Sequence, residues 1–204
     1  MRSHSKNDVV IVDSGGANIA SLRGAIERLG VRTRLSADGS VIASADRVVL
    51  PGVGAAPHAM ERLRTAGLTN VLRTLTQPVL GVCLGMQLLF ARSEEGSTAC
   101  LGILPSAVQR LQSLPGRPVP HMGWNQLRRL KADPLLEGIE DGAHAYFVHS
   151  YAAAVTEHTL ATAEYGLALC AAVRRGNFWG TQFHPERSAA TGVRVLRNFL
   201  GQSG

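Results

Sequence analysis

The sequence predicts an α/β protein with a mostly parallel central sheet flanked by helices and an antiparallel extension. Three observations carry this expectation. Val9-Val10-Ile11-Val12 and Arg47-Val48-Val49-Leu50 are short, largely β-branched runs, as in strands buried on both faces. Segments with helical spacing alternate with such runs through the first half of the chain. The second half changes to short, alternating, turn-bounded segments.

In chain order, the first strand ends in the loop Asp13-Ser14-Gly15-Gly16. Asn18 suits a helix N-cap, and Ile19, Leu22, Ala25, Ile26 and Leu29 follow at helical spacing, closed by Gly30. Residues 31–35 read as the second strand and Arg47–Leu50 as the third, broken by Pro51-Gly52-Val53-Gly54. Helical patterns occupy about 55–65 and 69–75. The apolar run Val79-Leu80-Gly81-Val82 is the central strand, and Leu84, Met86, Leu88, Leu89 and Phe90 read as a helix directly after it. Residues 108–111, 124–127, 146–153, 160–165 and 171–174 suggest the antiparallel part. Residues 177–183 look like a strand leading into His184, and 193–200 like a final amphipathic helix. In such sheets the sites lie at the carboxyl ends of the strands. The loop at 13–18, Pro51–Gly54 and Cys83 all fall there.

The 204 residues suit one domain with a sizeable core, expected over 8–204, behind a polar and basic flexible extension at 1–7. A hydrophobic share of 45% against 18% charged excludes a disordered chain. The three cysteines, Cys83, Cys100 and Cys170, are sparse and odd in number. No apolar stretch like that of a signal peptide follows the start. Together these point to a reducing, cytoplasmic setting. No run approaches membrane-spanning length. The net charge of +6 raises nucleic-acid binding, but the arginines are scattered and aromatics make up only 5%. Neither nucleic acid nor membrane is therefore an expected partner.

Two constellations carry chemistry. Gly81-Val82-Cys83-Leu84-Gly85 is the cysteine counterpart of a nucleophile elbow, in which a sharp strand-to-helix turn demands glycine on both sides. A helix beginning after Cys83 favours the reactive thiolate and leaves the Leu84 N–H for an oxyanion. A free cysteine is also often a small buried hydrophobe, and the pattern alone leaves that alternative open. In His184-Pro185-Glu186 the proline biases His184 towards an extended conformation. An extended chain turns residues two apart to the same side, so Glu186 is expected to accept one ring N–H of His184. The alternative is a loop histidine beside a solvated glutamate. His121 and His149 do not stand at metal-ligand spacing with any cysteine, and neither a metal nor an organic cofactor is expected.

Gly81-Val82-Cys83-Leu84-Gly85-Met86-Gln87 followed by Phe183-His184-Pro185-Glu186 resembles the class I (triad) glutamine amidotransferase family. Pro51-Gly52-Val53-Gly54, His121-Met122-Gly123-Trp124-Asn125 and Tyr146-Phe147-Val148-His149-Ser150-Tyr151 narrow the resemblance to glutaminase subunits of imidazole glycerol phosphate synthases. It covers the chain from about Val9 to Leu200. The resemblance implies Cys83 as nucleophile, His184 as acid–base and Glu186 as its orienting partner. It implies Gly52, Gln87, Glu95, His149, Ser150 and Tyr151 around glutamine. The oxyanion donors would be the Leu84 N–H and a peptide N–H at Pro51-Gly52-Val53. Asn18 in the 13–18 loop, Trp124, Tyr146 and Arg187 would face a cyclase subunit, the expected partner in a heterodimer. Individually, Gln87 also fits a helix surface, Glu95 a solvated side chain, and Trp124 and Tyr146 a core.

Three positions depart from the family pattern. Ala56 stands where an aromatic is usual, Ser14 where tyrosine is usual, and Arg187 where lysine is common. Neither of the first two touches the triad, and Arg187, directly after Glu186, keeps the charge but not the geometry. The competing assignment within the superfamily is a glutaminase serving another synthase, such as anthranilate or pyridoxal phosphate synthesis, and His121-Met122-Gly123-Trp124-Asn125 speaks against it.

Overall fold

The computed structural model describes residues 8–13, 19–52 and 54–201. Its first half is β1 (Val9–Val12), α1 (Ile19–Glu27), β2 (Thr33–Ser36), α2 (Gly39–Ala43), β3 (Arg47–Leu50), α3 (Ala56–Thr65), α4 (Leu68–Arg73), β4 (Val79–Val82) and α5 (Leu84–Gln87). There follow β5 (Phe90–Ser93), β6 (Thr98–Ala99), β7 (Leu104–Arg110), β8 (His121–Gln126), β9 (Arg128–Arg129), β10 (His144–His149), β11 (Tyr151–Ala153), β12 (Thr159–Glu164), β13 (Ala168–Arg175), β14 (Phe178–Thr181) and α6 (Ala189–Phe199).

Among the described residues the main sheet has eight strands in the order β2-β1-β3-β4-β14-β13-β12-β9. The pairs from β2 to β14 are parallel. The pairs from β14 to β9 are antiparallel; of the segments expected in the antiparallel part, 160–165 and 171–174 supply it as β12 and β13, whereas 108–111 and 124–127 fall in β7 and β8 of two smaller sheets. Every residue of β1 is buried, because helices cover both faces. Val10, Val12, Val48 and Leu50 pack towards Ala59, Met60 and Leu63 of α3 and Leu68 and Leu72 of α4. Val9, Ile11 and Val49 pack on the other face, towards Leu22 and Ile26 of α1 and Val195, Leu196 and Phe199 of α6. Each fully buried aliphatic side chain here contributes about 1.5–3 kcal/mol of transfer free energy. Among the described residues no helix is long and apolar enough to cross a membrane.

The structure departs from the sequence-based expectation in four places. The helix after Cys83 is a single turn ending at Gln87, and Phe90 opens β5 instead of continuing it. Pairing of Phe90 with Leu104 of β7 decides this, a contact that local periodicity does not register. The segment 146–153 is not one strand. It divides at Ser150, so β10 pairs with β8 and β11 with β7, in two small sheets apart from the main one. The five-residue helix α2 was not foreseen, being too short for a periodic signal. The Asp38 side chain caps it by accepting from the Ser40 N–H at 2.8 Å. Finally, Pro185–Arg187 form a turn of 3-10 helix, not an extended segment. The proposed N-cap Asn18 and the extension at 1–7 lie outside the described residues.

Candidate active site

Cys83 stands at the tight turn from β4 into α5, with φ 53° and ψ −112°. Such a conformation costs a non-glycine residue on the order of 1–3 kcal/mol and persists only where its surroundings impose it. They do so here by close packing. The Cys83 N–H donates to Thr181 of β14 at 2.8 Å. On the other side the end of β3 presses on the elbow. A Cβ at Gly85 would lie 1.8 Å from the Leu50 carbonyl oxygen, and one at Gly52 would lie 2.4 Å from the Gly85 nitrogen. Glycine at these two positions is therefore what lets Pro51-Gly52 approach the Cys83 elbow. Leu84, as the first residue of α5, has no intrahelical acceptor for its N–H. Val53, the other expected oxyanion residue, lies outside the described residues.

His184 follows β14 and is buried, in an extended conformation. Its N–H donates to Tyr146 of β10 at 2.9 Å. Its Nδ1 meets Glu186 Oε1 at 2.8 Å, with only 1% of the glutamate side chain exposed. The pairing foreseen from His184-Pro185-Glu186 is present, but the 3-10 turn makes it, not an extended chain. Ser188 fixes the turn: its hydroxyl donates to the His184 carbonyl at 2.7 Å and accepts from the Tyr146 N–H at 2.9 Å. Burial disfavours charge on His184. Hydrogen bonds to Cys83 and Glu186 outweigh it and push the imidazole up to about 10. With Nδ1 occupied by Glu186, Nε2 is the ring nitrogen left for Cys83. At neutral pH His184 is thus an imidazolium, the form that protonates a leaving amine. The structure brings Cys83, His184 and Glu186 together as the sequence suggested.

The expected substrate residues prove to be tied into the protein. Gln87 is buried and its Nε2 donates to the Tyr151 carbonyl at 2.8 Å and to Gln182 Oε1 at 2.9 Å. It is not a helix-surface residue. Glu95 Oε2 accepts from the Ala56 N–H at 2.7 Å. This caps α3, whose N-cap residue Ala55 has no side-chain acceptor to offer. The Ser150 carbonyl accepts from Leu111 at 2.9 Å, and His149 is buried with Nδ1 at 2.8 Å from the Tyr151 carbonyl.

Three of the expected interface residues form one cluster. In the β8–β10 ribbon Trp124 stands opposite Tyr146, their rings edge-on at 6.0 Å. Trp124 is 54% exposed and so not a core aromatic. The Arg187 guanidinium, at the end of the 3-10 turn that carries Glu186, lies 4.2 Å over the Tyr146 ring. Asn18, the fourth, lies outside the described residues. Two residues escaped the sequence reading, Gln182 and Ser188. Gln182 is fully buried with Nε2 at 3.8 Å from Cys83 Sγ. Nothing in its local sequence signals this, because Gln182 and Cys83 meet only in the folded sheet.

The model of the family described as glutamine amidotransferase class-I matches residues 10–202. An imidazole glycerol phosphate synthase subunit HisH of Xanthomonas euvesicatoria is 55% identical over 196 residues, covering 96% of this chain and 98% of that protein. The subunit of the same name from Xylella fastidiosa is 53% identical over 193 residues, covering 95% and 96%. Among solved structures, a glutamine amidotransferase superposes with a TM-score of 0.72 at 20% identity, covering 95% of this chain and 98% of that one, a likeness of fold. The chain belongs to the class-I glutamine amidotransferase family, on the branch of the imidazole glycerol phosphate synthase HisH subunits.

Proposed function

We propose that this protein is the glutaminase subunit of an imidazole glycerol phosphate synthase, acting in histidine biosynthesis through Cys83, His184 and Glu186. The observation that carries the assignment of residues is the buried His184–Glu186 pair at 2.8 Å, set beside a cysteine held at a strained elbow that helps keep the imidazole charged. The identity of the synthase rests on relatives of that name that match nearly the whole chain.

The Cys83 sulfur attacks the side-chain carboxamide carbon of glutamine. The tetrahedral oxyanion receives the Leu84 N–H and a peptide N–H from Pro51-Gly52-Val53. His184 gives its proton to the departing nitrogen, ammonia leaves, and a glutamyl thioester remains. His184, now neutral, takes a proton from water. The water attacks the thioester and glutamate is released. Glu186 holds the ring orientation and stabilises the imidazolium throughout. Gly52, Gln87, Glu95 and the 149–151 segment shape the glutamine site. No cofactor enters this sequence of steps.

Ammonia passes to a cyclase subunit. There it converts a phosphoribulosyl formimino aminoimidazole carboxamide nucleotide to imidazole glycerol phosphate and the aminoimidazole carboxamide ribonucleotide. The Trp124, Tyr146 and Arg187 cluster, with Asn18, faces that subunit in a cytoplasmic heterodimer. Residues 8–204 act as one domain behind the extension at 1–7.

The test is Cys83→Ala in the reconstituted complex. Glutamine-dependent synthesis is lost and synthesis from added ammonia is kept. A mutant that still hydrolyses glutamine at near the wild-type rate removes Cys83 from the mechanism.

A further inference from the structure

Two arms of hydrogen bonds, one of them starting at Cys83, meet on one backbone oxygen, that of Tyr151. The first runs from Cys83. Gln182 Nε2 lies 3.8 Å from Sγ, and Gln182 Oε1 accepts from Gln87 Nε2 at 2.9 Å. The same Gln87 nitrogen donates to the Tyr151 carbonyl at 2.8 Å. The second arm runs from the β8–β10 ribbon. Asn125 Nδ2 is 3.2 Å from His121 Nε2, His121 Nδ1 is 3.0 Å from His149 Nε2, and His149 Nδ1 is 2.8 Å from the Tyr151 carbonyl.

The direction of every link follows from its ends. A carbonyl only accepts, so His149 Nδ1 carries hydrogen. Burial pushes both His121 and His149 down to about 4, so each ring holds one proton at neutral pH. His149 Nε2 is then the acceptor and His121 Nδ1 the donor. His121 Nε2 accepts from Asn125, whose amide also donates to the Glu164 carbonyl at 2.9 Å. A second proton on either ring would set two N–H groups against each other. The pair is not arranged as a metal site either, since among the described residues no group of three or more His, Cys, Asp or Glu is placed to hold one.

We infer that Gln182 is a positioning residue for Cys83, and that the His121–His149 pair ties the shared Tyr151 oxygen, and through it Gln87 and Gln182, to the β8–β10 ribbon. This rests on the proposed role of Cys83. A cysteine side chain turns freely about one bond. The Gln182 amide N–H and the Val148 carbonyl, 3.8 and 3.9 Å from Sγ, confine it. The amide also presents a donor edge to the sulfur when it carries negative charge. Gln182 in turn has no freedom of its own, because its oxygen is held by Gln87. A partly satisfied buried network would lose this rigidity, which is why the far end of the chain matters to the near one.

The test uses the complex with its cyclase and two readouts, glutaminase kinetics and alkylation by iodoacetamide. Cys100 and Cys170 are buried, so alkylation read on this subunit by mass, apart from the cyclase, reports Cys83. Gln182→Met keeps the length and removes the amide. Its kcat is expected to fall about tenfold with KM within about twofold, and alkylation is to slow in parallel, as for a lost hydrogen bond to a charged group. His121→Phe keeps the ring stacked on Tyr165 and Phe147 but has no ring nitrogen. His121→Asn gives up the ring and restores a donor near Nδ1. His121→Phe is expected to lower kcat about threefold, and His121→Asn to recover most of that loss. Should Gln182→Met melt below the assay temperature, kcat and alkylation of both proteins are compared at a temperature below its melt, and Gln182→Leu, which is also neutral and lacks the amide, serves as the second variant.

Unchanged kcat and alkylation in the Gln182 variant overturn the inference. Equal losses in the two His121 variants overturn the part assigned to the histidine pair. Cys83→Ala separates the levels. If that variant stays active, the nucleophile assignment fails. If it is inactive while Gln182→Met behaves as wild type, only the present inference fails.

Discussion

Gly192→Ala is predicted to disable the enzyme although it lies in a helix and touches no reacting atom. By helix propensity alone the change is favourable by about 1 kcal/mol. The structure reverses the sign. Gly192 is buried in α6 where that helix crosses the turn carrying His184 and Glu186. An added Cβ would lie 1.8 Å from the Pro185 carbonyl oxygen, 2.7 Å from its carbon and 3.0 Å from its Cα. These are backbone atoms on both sides, so no side chain can swing away. The turn has to recede by more than about 1 Å to restore ordinary contact distances. That displacement exceeds what the 2.8 Å His184–Glu186 bond tolerates. A shift of about 1 Å in a positioning element costs on the order of 10²-fold in rate, and the overpacking costs about 1–3 kcal/mol. Gly24→Ala is the control. It sits in α1 with Arg28 Nη1 at 3.5 Å as the nearest contact, so there propensity decides and stability should rise slightly. Thermal melts and glutaminase kcat for both variants check the pair. A Gly192→Ala enzyme with kcat within twofold of wild type and an unchanged melt would refute the steric argument.

Two further outcomes follow from the ionisation of the site. His184→Ala should be nearly inactive, since general acid–base catalysis contributes about 10²–10⁴-fold. Glu186→Gln should retain more activity while lowering the His184 pKa from about 10, as read by NMR titration of the ring, because one of the hydrogen bonds raising it is weakened. Stability should fall on acidification between about 6.5 and 4. His121 and His149 are held near 4 in the fold against an ordinary 6.5, so the unfolded chain binds more protons in that window. For His149 a depression of this size corresponds to about 3 kcal/mol. His184 has the opposite sign. Its contribution is complete below about 6.5 and is lost as pH rises through about 10. Urea midpoints across pH should therefore decline on both sides of about 6.5, and His121→Phe should flatten the acid side.

The amino-acid sequence by itself determined the elements whose signals are local. The apolar run Val9–Val12 and the periodic residues of α1 needed only their neighbours to be recognised. The elbow around Cys83 announced itself because a tight turn restricts residue type and glycine meets the restriction, whereas the 3-10 turn at Pro185–Arg187 did not, its proline reading locally as a bias towards an extended chain. Tertiary structure decided everything that depends on which strands become neighbours. Phe90 has a helix-like context and becomes a strand because β7 offers it a partner. Tyr146 and Tyr151 sit on one apolar stretch and end in different sheets. Gln87 and Gln182 lie far apart in the chain and share a hydrogen bond only because β14 joins β4 at the centre of the sheet. The same physical reason covers each case. Local sequence encodes backbone preference, whereas the orientation of Gln182 towards Cys83 and of His121 towards His149 is a product of register, and register is set between segments, not within them.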